Sequence, residues 1–261
     1  MIGAVVPPVR LGRRNPVAKV GAALLFSLPL LATLDPLTPA VALAVQAAAV
    51  PLFGLRYRDV ARRAWPLLLS ALGVVVTLVP FAAERTGAHL VQLGPWALTT
   101  GVLATAAGLG LRIIAVALPG ILVLATTDPT DLADALIQNV RLPARFALGA
   151  LAALRLVPLL GAEWRTLLRA RRARGLGDRT VGERAGAFAG AGFALLVGAI
   201  RYGVRLAAAM DARGLSSGVR RSVARPQRFG AADAALLAAA GVLAAAILAL
   251  TAATGHLRPT L

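Results

Sequence analysis

The chain has 261 residues, 58 % of them hydrophobic, and a mean hydropathy of +0.76. A soluble domain is nearer ~45–50 % apolar, so the composition excludes an ordinary soluble fold and reads as an integral membrane protein. The net charge of +17 is almost all arginine, Lys19 being the only lysine, and the lack of Cys excludes disulfide and thiolate chemistry.

A bilayer core needs about 20 mostly apolar residues per helix. Residues 17–34 meet this first, ending at Asp35-Pro36. Basic residues precede that run as in a signal peptide, but it is longer than a usual signal core and more spans follow, so it reads as a retained first helix. Residues 37–55 form the second span after a very short turn, and 65–83 the third. Residues 95–127 are a long apolar stretch interrupted by Arg112 and Pro119, readable as one tilted span with an extension or as two short helices. Residues 231–254 are the last span. The fold class is therefore all-α, with about five transmembrane helices. Three regions follow: membrane helices over 1–127, a charged block over 128–230, and a final span with its tail over 231–261.

Arginine placement sets the orientation. Arg10, Arg13, Arg14 and Lys19 flank the first span, and Arg56, Arg58, Arg62 and Arg63 lie between the second and third. Only Arg85, beside Glu84, lies between the third and fourth, whereas seventeen arginines fall between Arg141 and Arg228. The positive-inside rule puts the N-terminus, the 56–64 loop and the 128–230 block in the cytoplasm, with 84–94 and the C-terminal tail outside. The same rule accounts for the charge without nucleic acid, since no basic stretch interleaves aromatics or carries a binding motif.

The charged block is not a linker. Asp128, Pro129 and Asp131 read as an N-cap, a first-turn proline and an acid at the positive end of the dipole, starting a short helix over 129–139 that Pro143 ends. A long helix over 144–174 turns amphipathic from Arg155, with Leu160, Trp164, Leu167 and Leu168 on one side and Arg155, Arg165, Arg169 and Arg172 on another, and Pro158 is expected to kink it. The next helix, 183–213, repeats small residues every four positions at Gly182, Gly186, Gly190, Ala194 and Gly198. That spacing lets helices approach closely, so the two are expected to cross, with Gly186, Gly190 and Gly198 at the crossing, along or just under the membrane. A sixth span over 185–200 is the alternative.

Ala-Arg-Gly occurs where each of these helices stops, at Ala173-Arg174-Gly175 and Ala212-Arg213-Gly214, and Leu follows both times. Glycine suits the left-handed position after a helix, and arginine there complements the carbonyl end of the dipole by about 0.3–1 kcal/mol. Ordinary capping would need no more than this. The functional alternative is that each Arg forks onto a partner's carboxylate with two parallel bonds.

With these paired motifs the chain resembles the transmembrane T component of energy-coupling factor (ECF) transporters. Ala208-Ala209-Met210-Asp211-Ala212-Arg213-Gly214 is close to that family's Ala-Met-Glu-Ala-Arg-Gly, departing at Asp211, and Arg169-Ala170-Arg171-Arg172-Ala173-Arg174-Gly175 also fits. So do Arg13-Arg14-Asn15-Pro16-Val17-Ala18-Lys19 and Thr126-Thr127-Asp128-Pro129 with Leu132, so the similarity covers nearly the whole chain. The resemblance implies a non-catalytic subunit of a vitamin or transition-metal importer in the bacterial cytoplasmic membrane. Its two motif helices would dock on two cytoplasmic ATPase subunits. The rest of the block would grip a membrane-embedded substrate-binding S subunit, which topples when the ATPases close. No cofactor, bound metal or nucleic acid is implied.

The remaining residues agree. No Gly-x4-Gly-Lys-Ser/Thr loop is present, and His89 and His256 have no acids clustered near them in sequence. Arg112 reads either as snorkelling near the inner face or as a functional ion. Trp65 and Trp96 read as interface anchors. The other class of function, a secondary carrier or a membrane enzyme, would want intramembrane acids or a cytosolic His/Asp/Glu cluster.

Overall fold

Most of the described residues are helical in the computed structural model, which describes residues 10–33, 35–81, 89–93, 96–175, 180–215, 217 and 222–254. Most of the expected 84–94 loop, the turn at 176–179, and His256 with the rest of the tail lie outside the described residues.

A 3₁₀ turn at Arg10–Arg13 leads into α1 (Pro16–Leu30). Asn15 caps it by accepting the Val17 N–H at 2.9 Å, and Pro16 brings a preset φ to a position where its missing donor costs nothing. Helix α2 (Leu37–Leu52) opens on Asp35, whose Oδ2 accepts both the N–H and the hydroxyl of Thr38, at 2.8 and 2.6 Å. It closes at Gly54, where φ is +77° and the Leu55 N–H returns to the Val50 carbonyl at 3.1 Å. Helix α3 (Tyr57–Phe81) begins eight residues before the expected 65, because the Arg-rich stretch before Trp65 is itself helical.

The fourth apolar stretch is one helix, α4 (Thr100–Thr126), running through Pro119. Its first residues are not helical. Trp96–Thr99 (β2) pairs antiparallel with His89–Leu93 (β1) in a small hairpin that the apolar pattern did not distinguish from helix. Then follow α5 (Pro129–Asn139), α6 (Ala144–Ala173), α7 (Val181–Ala212) and α8 (Ala231–Ala253). Helix α7 starts two residues before the expected 183, where the Thr180 hydroxyl accepts the Glu183 N–H at 3.2 Å.

The chain divides into two compact units, one holding Leu136–Pro226 and the other Val6–Ala135 with Gln227–Leu261. In the second unit α4 packs against α1, α2 and α3, and α8 packs against α1 and α2. The core there combines Phe26, Leu30 and Ile247 with Ala42, Ala115 and Ala244, small residues that bring helix backbones close. Added side-chain bulk at Gly110 would meet Val75 of α3 at 3.1 Å, so α3 and α4 also touch closely. In the first unit α6 packs against α7.

By length and apolar composition α3, α4, α6, α7 and α8 can cross a membrane, while α1 and α2, at 15 and 16 residues, are shorter. At 1.5 Å per residue these two are about 22–24 Å long, less than a ~30 Å hydrocarbon core. The protein is an all-α, multi-pass membrane protein. The five helices that pass on length are not the five expected from hydropathy, since α6 and α7 replace α1 and α2.

Candidate functional site

Both Ala-Arg-Gly motifs fold alike. Ala173 and Ala212 are the last residues of α6 and α7. Arg174 and Arg213 take nearly the same cap conformation, with φ, ψ of −87°, 7° and −86°, 11°. Gly175 and Gly214 follow at φ +72° and +78°, and each donates its N–H to a carbonyl three residues back, Arg172 and Asp211, at 2.9 Å. After the second motif the Leu215 N–H returns to the Met210 carbonyl at 3.1 Å. The left-handed glycine satisfies terminal carbonyls without a Cβ clash. Gly54 does the same after α2 with no Ala-Arg before it. The glycine is therefore a general device, and what the two motif ends share beyond it is an exposed arginine in matching backbone.

Helices α6 and α7 meet through side chains. Trp164 and Phe188 make an edge-to-face contact with ring centroids 4.8 Å apart. A Cβ at Gly190 would fall 2.5 Å from Nη1 of Arg171, and one at Gly198 would fall 3.2 Å from Oε1 of Glu163. Gly186 departs from expectation, because nothing lies within 4 Å of its Cβ position. The four-residue period advances 400° against 360° for a full turn, so a row of this spacing drifts around the helix and leaves the contact at one end. The neighbours at Gly190 and Gly198 are the mobile ends of long side chains, not backbone.

A second cluster, in the other unit, joins the start of α1 to the end of α4 and the start of α8. Lys19 is 2 % exposed and donates its ammonium to the Thr126 carbonyl at 2.9 Å. Asp131 and Asp233 both add negative potential at that ammonium. Asp233 accepts the Asn15 N–H on Oδ1 and the Gly230 N–H on Oδ2, each at 3.0 Å, and the Asn15 amide donates to the Arg228 carbonyl at 3.3 Å. Charge counting treated Lys19 as a cation flanking the first span. The available signal was Lys19 itself, a lone lysine among arginines.

Arg112 lies well away from that cluster. Its Nε and Nη2 donate to the carbonyls of Leu30 and Leu31, each at 3.1 Å. It thus caps the end of α1, whereas Lys19 near the start of α1 meets the end of α4. Among the described residues no group of three His, Cys, Asp or Glu is placed to hold a metal ion.

A family model described as a cobalt transport protein (CbiQ) matches residues 11–223. A putative ABC transporter ATP-binding protein of Bifidobacterium longum is 32 % identical over 193 residues, covering 70 % of this chain and 24 % of that protein. The energy-coupling factor transporter transmembrane protein EcfT of Leuconostoc gelidum subsp. gasicomitatum is 32 % identical over 142 residues, covering 51 % of this chain and 53 % of that one. The chain thus spans about a quarter and about half the length of these curated relatives.

Proposed function

The chain belongs to the cobalt transport protein family, and on that premise we propose that it is the transmembrane coupling subunit of an ATP-driven ECF-type micronutrient importer. The observation that carries the proposal is the pair of long helices ending in the same sequence, the same backbone turn and an exposed arginine. A paired element suits a paired partner, here two ATPase subunits. The match to a protein named for ATP binding supports this from another direction. This chain has no phosphate-binding loop and spans 24 % of that protein.

In this reading the N-terminus and residues 128–230 face the cytoplasm of a bacterial cell. Helices α6 and α7 are coupling helices and not spans, which fits the arginines crowding the C-terminal half of α6. Arg174 and Arg213 each engage a carboxylate in a groove of one ATPase. Closure of the ATPases on ATP moves the coupling helices, and the membrane-embedded S subunit topples and releases a vitamin or metal ion inward. The chain itself catalyses nothing. Affinity purification of the tagged chain from its own host tests the proposal. Recovery of two ATP-binding subunits and a small membrane protein supports it, and a chain that purifies alone from gentle detergent contradicts it.

A further inference from the structure

Helix α4 contains Pro119, which has no N–H to donate to the Ala115 carbonyl four residues back. Side chains of two neighbouring helices reach into the break. Gln46 of α2 donates its Nε2 to the Ala115 carbonyl at 2.7 Å, and Ser27 of α1 donates its hydroxyl to the Val116 carbonyl at 3.0 Å. Borrowed donors of this kind let a membrane helix tolerate an internal proline. The Gln46 tie is only half satisfied. Its amide cannot be reversed without setting two oxygens face to face, and its buried Oε1 has no hydrogen-bond partner among the described residues. A stranded acceptor takes back part of what the bond contributes.

The two sides of Pro119 are packed differently. Before it, a Cβ at Gly108 would fall 3.1 Å from Pro36, and one at Gly110 would fall 3.1 Å from Val75. After it, a Cβ at Gly120 would meet nothing within 4 Å. Pro119, Leu122 and Val123 border a cavity of about 150 Å³ whose other walls include Phe26 of α1, Ala49 of α2 and Ala239 of α8. Atoms around a void forgo dispersion contacts, so closing it is favourable. We propose that α4 hinges at Pro119, residues 120–126 moving between the described position and one closed into the cavity, with Gln46 as the catch that holds the first. Bending at a proline redirects the carbonyl before it, so the Gln46 bond to Ala115 opposes the movement. A half-satisfied catch set against an unfilled space keeps the two positions close in free energy. The inference concerns the chain by itself and not the docking of the motif arginines, so the test uses the chain without its partners.

The chain has no cysteine, so spin labels can be placed at exposed positions of the full-length protein. Leu124→Cys, after the proline, is paired with Val242→Cys on α8, and Ala107→Cys, before the proline, is paired with the same α8 site as a control. Double electron–electron resonance reads the distances. A second 124–242 distance is expected in the parent at about a tenth of the population or less. Gln46→Leu should raise its ratio to the first about fivefold, the effect of one net hydrogen bond, and Ser27→Ala should raise it by less. Pro119→Ala, which restores the missing N–H, and Ala239→Leu, which fills the cavity, should both abolish it. The 107–242 distance should stay single throughout. A 124–242 distribution unchanged in both Gln46→Leu and Ser27→Ala overturns the proposal, as does a second distance that survives Pro119→Ala. A 107–242 distance that splits alongside the other puts the movement elsewhere than Pro119 and equally overturns it.

Discussion

The ammonium of Lys19 rests on the main-chain carbonyl of Thr126 at 2.9 Å, although 107 residues separate them. Thr126 is the last residue of α4, and α5 begins three residues later. The bond therefore holds the place where the chain leaves the helical bundle for the charged block. Asp233 ties the start of α8 to Asn15 at the same point. Three helix termini distant in sequence are fixed by one small polar cluster.

Removing the ammonium should show this. Lys19→Met keeps the aliphatic stem but leaves the Thr126 carbonyl without that donor, and stranding a buried acceptor costs about 1–3 kcal/mol. Thermal unfolding in detergent checks this. A melting temperature unchanged in Lys19→Met would mean the bond contributes nothing.

Arg141 provides a test with the opposite sign. It is the one non-glycine residue with positive φ, at 59°, among the described residues. It follows α5, where the Leu142 N–H donates to the Leu136 carbonyl at 3.1 Å. A left-handed conformation costs a side-chain-bearing residue roughly 1–2 kcal/mol, partly offset by the greater entropy glycine loses on folding. Arg141→Gly should stabilise by about 0.5–1 kcal/mol, and Arg141→Val should destabilise by more. The same melting experiment reads both signs.

The glycine row separates into positions that act and one that does not. Gly186→Ala adds a methyl group in open space and should stabilise α7 by up to about 1 kcal/mol through helix propensity. Gly190→Leu must displace the Arg171 guanidinium, and Trp164→Ala removes an edge-to-face contact worth about 0.5–1.5 kcal/mol beyond its buried area. Uptake normalised to membrane protein level should fall for the last two and stay unchanged for Gly186→Ala. Equal effects at 186 and 190 would remove the distinction.

What the sequence disclosed follows from the range of the interactions involved. Helices α5, α6, α7 and α8 were legible within two residues because their ends are set locally, by Asp128-Pro129, Pro143, Thr180, Gly175, Gly214 and Gly230. Helices α6 and α7 do touch, but the register of that contact was not legible, since only the packed helices show that Gly186 has turned away from Arg171 and Glu163. The Lys19 cluster was not legible because its partners come from distant parts of the chain, and the acceptors of Arg112 were not legible because they belong to another helix. Trp96–Thr99 was hidden because apolar strand and apolar helix look alike over four residues.

The orientation is open to chemical labelling, since the chain contains no cysteine. Asp178→Cys and His256→Cys should differ in intact cells. An impermeant thiol reagent is expected to modify the second and not the first. Modification at 178 from outside would overturn the cytoplasmic assignment of the charged block.

The most direct measurement concerns the motif arginines. An Arg that docks on a buried carboxylate leaves that charge unpaired when removed, at a cost of roughly 3–5 kcal/mol, whereas a capping Arg contributes under about 1 kcal/mol to its own helix. The Arg174→Ala, Arg213→Ala double variant should reach the membrane at normal levels and keep its melting temperature within a few degrees, yet lose the ATPase subunits on affinity purification and lose uptake with them. Full recovery of the ATPases and normal uptake in that variant would contradict the coupling account.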